Sequence, residues 1–289
     1  MTKLSRSLLG MLLVASCSGV TAAQDATSLP KVLEIQREYT KPGKAGAAHE
    51  KTESLFVQAM IRAKWPTHYV ALTSLSGKSR SLFLTRYDSF EAWEKDGAAV
   101  EKNATLTAAL DHAGLVDGDL LDETDQSVFI RRDDVSLRPK SDLSHMRFME
   151  IGVYHVRPGH GKEWTELLKT VMAAYEKAVP DAHWGTYQLV YGGDDGTYAL
   201  LTARKTLAEI DRGFQDDKQF EAAMGEDGMK KLDEKFGAAV DSSQQQLFAF
   251  SPSMSYVEDD WIKEDPDFWK PKAAAAPAAK PAADKKDKP

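Results

Sequence analysis

Two carboxylates sit in matching apolar surroundings, Glu34 in "VLEIQ" and Glu150 in "FMEIG". Brought close together where water is restricted, such a pair can share a proton or hold a cation. His68 and His183 precede an aromatic residue in "HYV" and "HWG", which makes them candidates for proton transfer. Tyr154, Trp184 and Tyr187 offer flat apolar surface to a ligand. Each group also has a plainer reading. The carboxylates can be rim residues paired with Arg86 or Arg204, the histidines can be inert strand ends, and the rings can be core packing.

Other chemistry finds little support. His155 and His160 flank the Pro-Gly of "HVRPGHGKEW", and five positions across a turn make a poor bite for one metal. None of the seven histidines shows the H-E-x-x-H spacing or another tight ligand spacing, so no metal or other cofactor is expected. There is no phosphate loop, dinucleotide fingerprint or Ser-His-Asp order. "GGDDG" lacks the alternating aspartates and closing glutamate of a calcium loop and is expected to be a hairpin turn.

The elements that must position these residues come in two copies. Sliding the chain by 116 positions aligns Glu34-Ile35 with Glu150-Ile151 and Pro42-Gly43 with Pro158-Gly159. Each copy runs from an alternating apolar stretch through Pro-Gly into a helical pattern, with Leu55, Phe56, Ala59 and Met60 on one stripe and Trp164, Leu167, Leu168, Val171 and Tyr175 on the other. Two strands joined by a Gly-containing turn follow, then a helix start with Ser89 or Thr206 as N-cap, more helix, and a short closing strand, "SVFIRR" or "QLFAFS". "HVRPGHGKEW" is therefore a corner between strand and helix.

The order β-α-β-β-α-β in each half is that of a ferredoxin-like unit. The whole resembles the dimeric α/β-barrel superfamily, which includes antibiotic-biosynthesis monooxygenases, NIPSNAP-like proteins and haem-degrading monooxygenases. The resemblance spans residues 31–254 and rests on element order and the repeat. It implies an α+β protein of two tandem ferredoxin-like units, 31–135 and 146–254, packed sheet to sheet as one pseudo-dimeric α/β barrel with a ligand cavity between them. Leu33, Ile35, Met149, Ile151 and Val153 are expected beneath the helices, which turns Glu34, Gln36, Glu38, Glu150 and Tyr154 toward that cavity. "SFEAWEKD" is similar to the helix of haem-degrading monooxygenases, but Asn103 stands where their ligating histidine is expected, and Phe220 does so in the second copy. That argues against haem.

The ends suggest an address. Lys3 and Arg6, an apolar run from Leu8 to Ala15 and "VTAAQ" have the layout of a signal peptide over residues 1–23. The rival reading is a lipobox, "VASC", with an acylated Cys17. Cleavage at Ala23 removes the only cysteine and leaves a periplasmic or extracellular protein without disulfides. The formal charge of −7 and the lack of a basic stripe exclude nucleic acid as a partner, and no segment spans a bilayer. Residues 255–269, "SYVEDDWIKEDPDFW", are expected to wrap the body. Residues 270–289, rich in Ala, Pro and Lys, are expected to form a disordered tail.

Three functions fit a monomer of this kind: a binder of a small hydrophobic or aromatic ligand in the barrel, a cofactor-independent monooxygenase-like enzyme, and a non-catalytic envelope interaction protein. A sealed or filled barrel favours the last of these. An apolar cavity favours the first, and a cavity holding a desolvated carboxylate or histidine favours the second.

Overall fold

A computed structural model describes residues 29–139 and 143–270. The signal peptide and lipobox expected at the start and nearly all of the Ala/Pro/Lys tail lie outside these residues. No described helix is long and apolar enough to cross a membrane.

The first half contains β1 (Val32–Thr40), α1 (Ala47–Ala63), β2 (Tyr69–Ser74), β3 (Arg80–Tyr87), α2 (Phe90–Lys102), α3 (Ala104–Gly118) and β4 (Leu121–Arg131). The second contains β5 (Phe148–Val156), α4 (Gly161–Ala178), β6 (Gly185–Tyr191), β7 (Thr197–Arg204), α5 (Ala208–Ala239) and β8 (Val240–Phe250). Two short helices, α6 (Asp259–Glu264) and α7 (Pro266–Trp269), end the described chain. The corner at Pro158-Gly159 joins β5 to α4, with Gly159 at φ 87°. Ser89 caps α2 by accepting from Ala92 N–H. Thr206 makes no such cap; α5 starts after Leu207, and the Glu209 carboxylate accepts from Lys205 N–H instead. Helix α5 breaks at Gly225, whose φ of 68° no helix interior accommodates.

All strands pair antiparallel in one closed barrel, ordered β1-β3-β2-β8-β5-β7-β6-β4. Strands β4 and β8 are longer than their apolar cores suggest. Their polar first halves carry no hydrophobic signal, yet they pair with β1 and β5, as in Gln36 opposite Gln126 and Gly152 opposite Gln245. At the β6–β7 turn, Gly192 has φ 82°, and a Cβ there would lie 2.1 Å from the Gln126 carbonyl oxygen. Only glycine fits.

The interior overturns the expected choice of faces. Ile35, Leu72, Leu84, Phe129, Ile151, Leu189, Leu201 and Phe248, one from each strand, form a single buried cluster. An eight-stranded barrel is just wide enough for side chains to meet across it, and its middle takes the fully apolar set. Leu33, Ile35, Met149, Ile151 and Val153 therefore point inward, while Glu34, Gln36, Glu38, Glu150 and Tyr154 point outward, beneath the helices. Alternation separates two faces but does not say which is the lumen when both are covered.

Val257, Trp261 and Trp269 belong to the same cluster, so α6 and α7 close one end of the barrel. Arg86 reaches into that end, pairing with Glu258 and facing the Trp261 ring at 5.5 Å. The other end opens as a polar funnel of about 850 Å³. Its side chains are tied to one another: Arg37 bonds Asp125 and Ser127, Arg80 donates to Gln246, and His155 meets Thr197.

Candidate functional site

The largest concavity among the expected residues lies outside the barrel. A cleft of about 790 Å³ separates β5 and β7 from α4 and α5. Four of the seven expected residues line it: Glu150, Tyr154, His183 and Trp184. Strand alternation delivers the first two. Helix α4 roofs them with Leu168, Val171 and Tyr175, and α5 adds Glu209, Arg212, Asp216 and Asp217, spaced to share one helical face. The Tyr175 hydroxyl donates to Asp217 at 2.6 Å and so ties the two helices together at the rim.

The floor is polar. Arg204 donates to Glu150 from Nε at 3.0 Å and lies 2.9 Å from it through Nη2, as the rim reading anticipated. Tyr154 packs on Trp164, ring centres 5.1 Å apart, and its hydroxyl accepts from the Gln245 amide at 3.0 Å. Burial pushes its phenol up, and the Gln245 bond pulls it part of the way back. Trp184 donates to the Val135 carbonyl and meets Tyr175 edge to face at 5.6 Å. His183 has both ring nitrogens engaged, facing the Asp181 carbonyl at 3.0 Å and the Ala203 carbonyl at 3.1 Å. That fastens two chain segments and leaves neither nitrogen free to move a proton.

The other three expected residues are elsewhere. Tyr187 is 1 % exposed inside the barrel, its hydroxyl donating to the Pro30 carbonyl. His68 stacks on Tyr256 at 4.5 Å, and burial lowers its pKa from the ordinary value of 6.5. Glu34 accepts from Gln126; burial raises its pKa, the Gln126 bond opposes that, and nearby Asp96 adds to the rise. Strands β1 and β5 are four places apart in the ring of eight. Glu34 and Glu150 both point outward from opposite sides, so the expected carboxylate pair does not form. Asn103 is occupied as the N-cap of α3, accepting from Leu106 N–H.

Sequence reasoning passed over a second cluster. Glu38, His49, Glu53 and Asp117 converge beneath α1 and α3, each at most 4 % exposed. Burial works against charge on His49, but bonds from Asp117 and Glu38 outweigh it and hold its pKa up at about 10. Glu53 is pushed up to about 9, first by burial, then by the Glu38 and Asp117 carboxylates. A signal was present: His49 and Glu53 are one helical turn apart in "HEKTE". Its partners are carboxylates, so spacing between histidines carries no trace of it.

No protein-family model matches the sequence, and no curated protein matches it. Among solved structures, a candidate monooxygenase from Fusobacterium nucleatum subsp. nucleatum is similar over 77 % of this chain and 93 % of its own, with 11 % identity and a TM-score of 0.50. A candidate monooxygenase from Lactobacillus acidophilus NCFM shares 8 % identity over 76 % of this chain and 93 % of its own, TM-score 0.47. Chlorite dismutase from Candidatus Nitrospira defluvii shares 9 % over 83 % and 97 %, TM-score 0.46. The likeness is one of fold, a ferredoxin-like α/β barrel, and does not single out NIPSNAP-like proteins.

Proposed function

We propose that the chain is an internally duplicated, monomeric α/β barrel that binds a small, flat, partly aromatic molecule in the cleft under α4 and α5. One observation carries this reading: about 790 Å³ of space is walled by Tyr154, Tyr175 and Trp184 and floored by the Glu150–Arg204 pair. Aromatic rings beside a placed ion pair suit a flat molecule that also carries a polar group. The site moves from the barrel interior, where it was expected, to the outer face of the second half, because Glu150 and Tyr154 turn outward beneath α4 and α5. Closure supports the monomer reading, since every barrel strand finds both partners within one chain and no edge is left to pair with a second copy. If residues 1–23 act as a signal peptide, the ligand is met outside the cytoplasm.

The test is calorimetry and native mass spectrometry with phenol, quinol and quinone probes. One equivalent should bind to the wild type. Leu200→Trp, which fills the cleft from β7, should abolish binding while the melting temperature stays within a few degrees. Binding that survives Leu200→Trp would overturn the reading.

The name of the Fusobacterium protein brings a second reading, a cofactor-independent oxygenase in which Glu150 accepts a phenol proton before dioxygen reacts. Fold does not choose between binder and enzyme. Dioxygen uptake with a bound quinol, lost in Glu150→Gln, would favour the enzyme.

A further inference from the structure

We propose that Glu38, His49, Glu53 and Asp117 form a binding site for one divalent transition-metal ion, independent of the α4–α5 cleft.

The four side chains come from β1, α1 and the end of α3, and each offers a ligand atom within 4.8 Å of the others. His49 Nε2 lies 3.0 Å from Glu38 Oε2, 3.5 Å from Asp117 Oδ1 and 3.9 Å from Glu53 Oε1. Metal bonds of about 2.0–2.2 Å place neighbouring donors of one ion roughly 3.0–3.5 Å apart. Two of the three separations fall in that range, and the third needs closing by a few tenths of an ångström.

An independent observation points to a ligand. Glu53 Oε1 is buried, faces this cluster and accepts no hydrogen bond from an N–H or hydroxyl donor of the described residues. Buried carboxylate oxygens are rarely left so. Among the described residues, no lysine or arginine forms an ion pair with any of the three carboxylates. Three buried carboxyl groups face one imidazole, and a divalent cation would let all three ionise together.

The surroundings are those of an oriented site. Ser81 Oγ faces His49 Nδ1 at 3.4 Å, which leaves Nε2 to act as the ligand nitrogen. Gln36 donates to Glu38 Oε1 at 2.6 Å and Thr52 to Asp117 Oδ1 at 2.5 Å, fixing both carboxylates. A pocket of about 220 Å³, lined by His49, Ser81 and Gly46, reaches the cluster's histidine from the surface. One imidazole with three carboxylates suits Mn²⁺, Fe²⁺ or Zn²⁺ better than Mg²⁺ or Ca²⁺, which favour oxygen alone.

The experiment strips the full chain with a chelator and titrates it with Mn²⁺, Zn²⁺ and Co²⁺. One equivalent should bind, the melting temperature should rise, and Co²⁺ should give a visible absorption band. His49→Gln and Glu53→Gln should each weaken binding at least tenfold, whereas Glu150→Gln, in the other cleft, should bind like the wild type. Failure of the wild type to bind, or equal binding by His49→Gln, would overturn the proposal. Pulsed electron paramagnetic resonance of the Mn²⁺-loaded wild type decides without any variant. Coupling to an imidazole nitrogen is required, and its absence means the cluster holds protons only.

Discussion

Arg204 clasps Glu150 diagonally across two neighbouring strands, β7 and β5, with two guanidinium nitrogens within 3.0 Å of one carboxylate oxygen. The pair is about one-quarter exposed, so it adds little to stability, on the order of 1 kcal/mol or less. Its place at the floor of the cleft gives it a larger part in recognition. Arg204→Leu should shift the melting temperature by only a few degrees. It should weaken binding of a phenol or quinone probe at least tenfold in a calorimetric titration, and unchanged affinity would remove the pair from the site.

Gly152 sets the size of the same cleft. A Cβ there would lie 2.9 Å from the Tyr154 ring and 3.1 Å from the Gln245 amide. Both neighbours are movable side-chain ends, so Gly152→Ala should cost less than about 1.5 kcal/mol. The displaced Tyr154 ring should narrow the cleft and lower probe affinity. Urea unfolding beside the titration separates the two effects.

The closed end of the barrel depends on Trp261, which is 2 % exposed and meets Trp269 at 5.3 Å. Trp261→Ala removes a large buried ring and uncovers Arg86. It should destabilise the protein by about 3–5 kcal/mol. A loss below about 1 kcal/mol in urea unfolding would show that the two C-terminal helices merely rest on the barrel.

His68 should give stability a pH dependence. Its folded pKa lies below the ordinary 6.5 because burial disfavours the charged ring stacked on Tyr256. A lowered histidine contributes stability that is present above 6.5 and is lost as pH falls through the folded value, since the unfolded chain takes the proton more readily. His68→Phe should therefore gain on the wild type in urea midpoint as pH drops from 7.5 to 5, bearing on linkage alone. A constant difference across that range would contradict the assignment.

Much of the frame was legible along the chain. Pro-Gly after an apolar strand marks the corners, Ser89 marks a helix start, and Gly192 marks a turn, because each acts through its own backbone or that of its neighbours. The candidate site was only half legible. Tyr154, Glu150, His183 and Trp184 do share one cleft, but on the face opposite to the one expected. Glu38 and His49 looked like unrelated polar residues.

The sequence alone determined the order of elements, their duplication and the two-residue alternation that sorts side chains into opposite sets. Those follow from local backbone chemistry and period. Only the tertiary structure decided which set is inside. Closing eight strands into a ring packs the apolar set against itself across the middle of the lumen, and the carboxylates of β1 and β5 turn to the helices. The same closure sends Glu34 and Glu150 to opposite sides and, through α1 and α3, gathers residues as distant in the chain as Glu38 and Asp117.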